Sequence, residues 1–492
     1  MRKRWIAAAS GVVLAGGVLA LPSATGQQRQ IATATAISPQ EKSEGAKAHP
    51  QLLAEFGGPY AGPQSGYVTR VGQKIAVQSR LSNAQSDFTV TLLNSPVHNA
   101  FAIPGGYVYV TRQLLTLMND EAELAGVLGH EVGHVAAQHG QRRQKAASRN
   151  AIGGTLLQVL AGAVLGDSGL GNILQQGIGT ASQALTLKFS RSQEYEADDL
   201  GIRYLASAGY DPRALSSTLA SLAAQNAIDQ RVSGNSRTVP EWASTHPDPA
   251  ARVSRALKNA NATGARSTLR NRDPFLTALN GTLYGDDPKQ GVIEGNRFRH
   301  PDLRLSFAIP AGYTMENGTS AVSVTGPNGQ AQFSGATFNG DMTRYINTVF
   351  SGVSKNASIA ADAIQTTTIN GIPASYASAR ANGQSGQVDV TVFAYRFGPS
   401  TAYHFLLIAP AGRGIGPFEP MLGSMQRLSA QDAATIRPRR VQVVTVKPGD
   451  TVASLSGRMA YTDNREDRFR VLNGLAARAT LTAGEKVKIV SY

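Results

Sequence analysis

The stretch "AELAGVLGHEVGHVAAQHG", residues 122–140, predicts a helix that carries a chemical site. Apolar residues recur at helical spacing from Leu124 to Val135. Asp120, followed three residues later by Glu123, is typical of a capping box at the start of a helix. We therefore expect one long helix here, with a polar motif in its second half.

That motif is His130-Glu131-Val132-Gly133-His134. Residues four apart lie on the same face of a helix, so the imidazoles of His130 and His134 can bind one metal ion together. Zinc is the ion that most often accepts this pair. Glu131 lies one step around the helix, where it can act as a general base on a water molecule without being a ligand.

A catalytic zinc site usually has three protein ligands, so another His, Glu or Asp is expected on a neighbouring helix. The best candidate lies in "EYEAD", where Glu194 and Asp198 are four residues apart. Glu194 would complete the ligand set, and Asp198 would orient a ligand histidine through a hydrogen bond. From spacing alone, a solvated acidic face is an equally good reading of these residues.

Four stretches occur in a characteristic order: "NAFAIPGGYVYVTR", "LAGVLGHEVGHVAAQHG", "SRSQEYEADDLGIRYLASAGYDP" and "STHPDPAAR". Together they resemble the zinc metallopeptidase family that includes HtpX, the CAAX prenyl proteases and BepA. The resemblance covers residues 66–260. It implies a mainly helical metallopeptidase domain with a small β-sheet and one Zn²⁺ per chain.

The resemblance also implies roles for individual residues. The zinc ligands would be His130, His134 and Glu194, the catalytic base Glu131 and the orienting carboxylate Asp198.

His246 matches a family histidine near the cleft, which either stabilises the transition state or caps the zinc in a resting form. Arg252 is a candidate contact to the transition state or substrate. His139 is interpreted instead as a cation near the negative end of the helix dipole, not as a ligand.

Two further segments concern substrate. The residues Asn99, Ala100, Phe101 and Ala102 are compatible with an edge strand that could align an extended peptide by main-chain hydrogen bonds; an ordinary hairpin is the alternative. The Gly/Ala-rich segment 151–187 lies between the two predicted ligand helices. It is a candidate lid or a point of peripheral membrane association.

The N-terminal sequence predicts export. Residues 1–26 combine Arg2, Lys3 and Arg4 with a short apolar run and small residues, as in a secretory signal peptide. The chain has no cysteine, so disulfides and a lipid anchor on cysteine are excluded. A formal net charge of +14 is compatible with anionic envelope components, and no nucleic-acid-binding motif is present. We expect a bacterial periplasmic or envelope protein.

The chain has 492 residues, enough for several domains. After a flexible tail over 27–65 and the metallopeptidase domain, we expect a linker or helical segment over 261–290 and an α+β domain over 291–437. Residues 441–492 resemble a LysM domain through "TVKPGDTVASLSGRM", "FRVLNGL" and "LTAGEKVKIV". That resemblance implies a small βααβ fold and peptidoglycan as a partner, although a purely structural unit is the alternative.

These features together predict an exported zinc metalloendopeptidase that acts on unfolded or misassembled envelope proteins. Two other classes of function are considered. One is a chaperone-like or autoinhibited zinc protein with conditional protease activity. The other is a peptidoglycan-bound scaffold or wall hydrolase.

Overall fold

The computed structural model describes residues 36–81, 84–143, 189–233, 246–353, 361–383 and 386–492. The predicted signal peptide and the predicted lid over 151–187 lie outside these residues. Among the described residues, no helix combines the length and the apolar character that crossing a bilayer requires.

The first described element is helix α1, Pro39–Glu55, which lies within the stretch expected to be a flexible tail. The expectation of a tail is wrong for this part of the chain. The helix is held by tertiary contacts that its weak periodicity does not reveal: Leu52 is buried beside Phe101, and a ring nitrogen of His49 lies 2.7 Å from the Tyr109 hydroxyl.

The region that the sequence predicts to be a metallopeptidase domain is mainly helical with a small sheet, as expected. Its helices are α2 (Pro63–Ala76), α3 (Ala84–Asp87), α4 (Arg112–Leu117), α5 (Glu121–Ala136), α6 (Arg191–Ser207), α7 (Ala214–Ser233), α8 (Pro249–Ala262) and α9 (Arg272–Leu279). Its strands are β1 (Thr89–Leu93), β2 (Ala100–Ile103) and β3 (Tyr107–Thr111). Strand β3 lies between the other two, parallel to β1 and antiparallel to β2.

Helices α5 and α6 pack against each other with their backbones in near contact, and glycines make this possible. A Cβ atom on Gly201 of α6 would lie 3.0 Å from the backbone nitrogen of His130, and one on Gly133 of α5 would lie 3.1 Å from the Ala197 carbonyl oxygen. Both distances are too short for ordinary side-chain contacts. The close crossing of α5 and α6 therefore requires glycine, which has no side chain, at both positions.

The middle domain is an α+β unit, as expected. Its strands are β5 (Val292–Glu294), β6 (Arg297–His300), β7 (Leu305–Ala308), β8 (Thr314–Asn317), β9 (Val322–Gly326), β10 (Gly329–Gly335), β11 (Gln365–Ile369), β12 (Ile372–Gly383), β13 (Gly386–Arg396), β14 (Ala402–Pro410) and β15 (Gln426–Arg427), and its helices are α10 (Met342–Val353), α11 (Glu419–Gly423) and α12 (Ala430–Ala434).

Seven of these strands form one sheet in the order β11-β12-β13-β14-β10-β9-β8, and four form another in the order β15-β7-β6-β5. Phe298, Phe307, Phe333 and Phe405 are buried in one shared core. Helix α10 buries Tyr345 and Ile346 in a separate cluster with Val392 of the large sheet. No side chain of this domain appears in the metal-ligand cluster described below.

The last unit has the order β16 (Arg439–Thr445), α13 (Val452–Ser456), α14 (Arg465–Leu472) and β17 (Lys486–Ser491). This is the βααβ order expected for residues 441–492, while a LysM identity stays a prediction. A short strand from the preceding segment, β4 (Leu283–Tyr284), joins β16 and extends the sheet to β17-β16-β4. The segment 261–290 therefore contributes a helix, α9, and a strand.

Lys488 joins this last unit to the metallopeptidase region. Its side chain is completely buried, and its Nζ donates to the carbonyl oxygens of Thr116 at 2.8 Å, Leu117 at 3.3 Å and Met118 at 2.5 Å. These carbonyls end helix α4, where a cation is stabilised by the helix dipole. Burial lowers the pKa of Lys488 to about 7, and the Glu123 carboxylate partly opposes this shift.

The glycine contact gives a test of the helix crossing. We expect Gly201→Ala to lower the free energy of unfolding by roughly 1–3 kcal/mol, because the new methyl group forces α5 and α6 apart. Gly66→Ala is the matched control, since Gly66 lies inside α2 with nothing within 4 Å of the added carbon. It should raise the free energy of unfolding by about 0.5–1 kcal/mol. Chemical denaturation measures the free energy of unfolding of both variants. Equal changes in the two would contradict the close contact between α5 and α6.

The junction at Lys488 gives a second test. Lys488→Met nearly keeps the length of the side chain but leaves the α4 carbonyls without their donor. We expect this to lower the free energy of unfolding by roughly 1–3 kcal/mol. Lys486→Met removes a partly exposed ion pair with Asp273, which should cost less than about 1 kcal/mol. Thermal unfolding of the two variants should separate them clearly. The same midpoint for both would show that Lys488 does not hold the units together.

Candidate metal centre

Helix α5 presents the His-Glu-x-x-His motif as the sequence predicts. The Asp120 side chain accepts a hydrogen bond from the Glu123 backbone nitrogen and caps the helix. His130, Glu131 and His134 are each buried at the opposite end. The Nε2 atoms of the two histidines lie 3.0 Å apart, so both rings point to one place.

Two more side chains reach the same place. His130, His134, Glu194 and His246 each offer one ligand atom, and these atoms all lie within 4.8 Å of one another. Glu194 oxygens lie 3.5 Å from each α5 Nε2 atom, and His246 Nδ1 lies 3.3 Å from His130 Nε2. Ligands of a tetrahedral zinc ion at its usual bond lengths lie roughly 3.3 Å apart. This donor set therefore fits zinc in both chemistry and spacing.

Helix α6 positions Glu194 and Asp198 on its buried face, and Arg252 of α8 holds them. The guanidinium donates to Glu194 through Nη1 at 2.6 Å and to Asp198 through Nε at 2.9 Å and Nη2 at 2.5 Å. Arg252 is 1% exposed. These contacts do not support the expected role of Arg252 as a transition-state or substrate contact, because its donors are directed at the two carboxylates.

Asp198 lies where the sequence places it relative to His130. Its Oδ1 is 3.0 Å from His130 Nδ1, the ring nitrogen that faces away from the cluster. A carboxylate at this position fixes the tautomer in which Nε2 is free to bind a metal. The alternative reading of "EYEAD" as a solvated acidic face does not hold for Glu194 or Asp198, which are both buried.

His246 precedes α8, whose first turn begins with Asp248 as cap and Pro249. Its Nδ1 lies 3.1 and 3.2 Å from the Glu194 oxygens, which puts it at the fourth corner of the cluster. Its Nε2 lies 3.6 Å from Glu131 Oε1. His246 thus bridges the ligand set and the predicted base.

Glu131 is buried, and neither of its oxygens makes a hydrogen bond with the described residues. Burial raises the pKa of its carboxyl group, while the nearby imidazoles of His246 and His130 oppose this. A buried carboxylate without hydrogen bonds is unfavourable for folding. Carboxyl groups perturbed in this way are characteristic of functional sites.

His130, His134 and Glu194 have shifted pKa values. Burial lowers the pKa of His130, but hydrogen bonds to Asp198 and Glu194 outweigh it and raise the value to about 9. Burial and the charge of His130 lower the pKa of His134 well below its ordinary value. Burial raises the pKa of Glu194, but His246 and His130 outweigh it and lower the value well below its ordinary range. Glu194 is therefore ionised at neutral pH and attracts a cation.

The role expected for His139, a cation near the negative end of the helix dipole, is wrong. The side chain is completely buried, and burial lowers its pKa. Its Nδ1 lies 2.9 Å from His134 Nδ1. The chain reverses at Gln138, which has a φ of 52°, and this left-handed turn is what returns His139 to the end of α5. The pattern His-x-x-x-x-His was the only signal in the sequence.

The predicted edge strand is present and packs against helix α5. Ala100, Phe101 and Ala102 lie in β2 and Asn99 directly precedes it. Strand β2 pairs with β3 and has no second partner among the described strands. Within the described ranges, β2 and β3 therefore form an antiparallel hairpin, and the outer edge of β2 has no partner strand.

Comparisons with known proteins agree with this geometry. Residues 63–260 match the peptidase family M48. A beta-barrel assembly-enhancing protease from Yersinia pestis is 31% identical over 231 residues, which are 45% of this chain and 44% of that protein.

Mitochondrial metalloendopeptidases are similar as well. The OMA1 protein of Arabidopsis thaliana is 36% identical over 172 residues, 35% of this chain and 31% of that protein. The OMA1 protein of Schizosaccharomyces pombe is 31% identical over 217 residues, 43% of this chain and 59% of that protein.

The chain spans less than two thirds of the length of each of these relatives. The segment that matches the family, residues 63–260, contains all four residues of the metal cluster. The family resemblance and the zinc cofactor expected from the sequence are thereby confirmed. Over residues 63–260 the chain matches the peptidase family M48, and this segment holds the metal-ligand cluster.

Proposed function

We propose that this protein is an exported zinc-dependent endopeptidase in which Glu131 is the general base. The observation that carries the proposal is the buried Glu131 carboxylate, which has no hydrogen bond among the described residues and lies beside a cluster that fits zinc. The proposed ligands are His130, His134 and Glu194.

When bound, zinc supplies a Lewis acid that polarises a carbonyl and lowers the pKa of water. Glu131 accepts a proton from the attacking water and later returns it to the amine nitrogen of the leaving group. Asp198 keeps the His130 ring in one tautomer, and Arg252 holds Asp198 and Glu194 in place. The burial of all these groups excludes bulk water and strengthens their electrostatic interactions.

The open edge of β2 supports an extended peptide as the substrate. Main-chain hydrogen bonds to an edge strand align a peptide without reading its sequence, and only an unfolded segment can offer its backbone in this way. We therefore propose that residues Asn99 to Ala102 bind unfolded or misassembled proteins. Because main-chain hydrogen bonds do not distinguish sequences, the cleavage preference would be set by contacts to the side chains of the substrate.

The proposed compartment is the periplasm or cell envelope of a bacterium. The signal-like sequence of residues 1–26 supports export, and a similar protein from Yersinia pestis is named for enhancing β-barrel assembly. Envelope proteins are then the proposed substrates. Binding of peptidoglycan by residues 441–492 remains a prediction that rests on the LysM-like sequence.

A second candidate is an autoinhibited or chaperone-like zinc protein, and His246 favours it. Its Nδ1 takes the corner of the cluster that an open catalytic site would leave for water or substrate. Cleavage would then require His246 to move away. The two candidates share one metal site and differ in how often that site is open.

Replacing the base tests the proposed chemistry. We expect Glu131→Gln to bind about one zinc per chain, like the wild type, since Glu131 is not a proposed ligand. Its cleavage of unfolded β-casein should fall by at least about 100-fold, because no carboxylate accepts the proton. Elemental analysis and gel-based proteolysis measure these quantities, with the exposed Glu466→Gln as control. Full activity in Glu131→Gln would contradict the proposal.

Replacing His246 separates the two candidates. We expect His246→Ala to keep its zinc and to cleave β-casein several-fold faster than the wild type, because a competing ligand has been removed. The measurement is initial rate at saturating zinc for both proteins. A large fall in rate with zinc retained would instead assign His246 to transition-state stabilisation. The autoinhibited candidate would then be refuted, and the endopeptidase proposal would stand.

A further inference from the structure

The two ligand histidines of α5 have different supports at the nitrogen that faces away from the cluster. His130 Nδ1 lies 3.0 Å from an Asp198 oxygen. His134 Nδ1 lies 2.9 Å from another histidine, His139, rather than from a carboxylate. A support of this kind normally sets the ring orientation and basicity of a metal ligand.

The contacts of His139 continue to a carboxylate. Its second nitrogen, Nε2, lies 3.2 Å from Glu196 Oε2. The same oxygen accepts a hydrogen bond from Arg142 Nη1 at 2.8 Å. His134, His139, Glu196 and Arg142 thus form a continuous chain that begins at the metal cluster and ends at a side chain half exposed to solvent.

Only one set of protons satisfies this chain when His134 binds a cation. His134 Nε2 must then be unprotonated, so its Nδ1 carries the proton and donates it to His139 Nδ1. His139 must therefore be neutral with its proton on Nε2, which donates to Glu196. Each nitrogen has one role, and Glu196 ends the chain as an acceptor.

The surrounding structure fixes His139 in this position. The side chain is completely buried, and its backbone carbonyl accepts a hydrogen bond from Gln193 Nε2 of α6 at 3.3 Å. The Phe189 ring lies against the His134 ring, tilted by 31° with centroids 4.0 Å apart. The His134 ring is thus held both at its edge and at its face.

We propose that His139 and Glu196 are positioning residues for the metal centre: they orient His134 through a histidine-to-carboxylate chain, as Asp198 orients His130. This inference rests on the proposed zinc site. Neither residue is a ligand or touches substrate. Glu196 acts only through His139, so its effect disappears once His139 is replaced.

Zinc affinity is the direct measure, obtained by competition with a chromophoric chelator at fixed pH. His139→Leu should weaken zinc binding by about 10–100-fold, the usual effect of losing such a support. His139→Asn should recover part of this loss, because its amide oxygen can replace Nδ1 as acceptor. The zinc affinity of Glu196→Gln should fall only several-fold, since the amide oxygen of Gln can still accept a hydrogen bond from His139 Nε2.

A double-mutant cycle tests the order of the chain. His139→Leu combined with Glu196→Gln should bind zinc no more weakly than His139→Leu alone. His404→Leu is the matched control for loss of fold stability, because His404 is buried and hydrogen-bonded in the α+β domain. Additive losses in the double variant, or an equal loss in His404→Leu, would overturn the proposal.

Nitrogen NMR of the zinc-loaded wild type gives a readout that a purely structural role would not produce. The proposal requires a neutral His139 protonated at Nε2, and a proton on Nδ1 would overturn it. Unchanged zinc affinity in His139→Leu would also overturn it while leaving the zinc site itself intact. Failure of the wild type to bind zinc would instead refute the proposed function on which the inference rests.

Discussion

The near contact between the backbones of α5 and α6 is the constraint on which the metal centre depends. His130 and His134 come from one helix and Glu194 from the other, so the distance between the helices sets the distance between the ligands. Side chains at Gly133 or Gly201 would separate the helices and pull the carboxylate away from the imidazoles. A cluster with ligand atoms about 3 Å apart therefore requires glycine at positions that have no chemical role.

Most of the features that the sequence predicts follow from the spacing of residues along a helix or strand. The four-residue interval in His130–His134 follows directly from helix geometry and favours a shared metal ion. For Glu194 and Asp198 the same interval fits a solvated acidic face equally well, and only the family resemblance favours a ligand and an orienting carboxylate. The mainly helical region and the α+β domain are visible as changes in periodicity, whereas the βααβ order is implied by the LysM resemblance. Helix α1 was missed because its few apolar positions find their partners on a strand elsewhere in the chain.

What could not be predicted depends on contacts between distant residues or on backbone reversal. Arg252 is 54 residues from Asp198, and no spacing rule pairs an arginine with a particular carboxylate over that distance. His139 looked like a helix-end cation because a left-handed turn at a non-glycine residue is seldom expected. Both residues turned out to be buried, and burial converts a generic charged or polar side chain into a partner with one fixed role.

The junction at Lys488 has a consequence for the order of folding. Lys488 and Met118 are separated by 370 residues, so their contact closes a very long loop and is expected to form after the domains between them. The segment that immediately precedes α5 then acquires its final packing late. Helix α5 would therefore reach its final packing only once the other domains are in place, so the metal-ligand cluster is assembled late in folding.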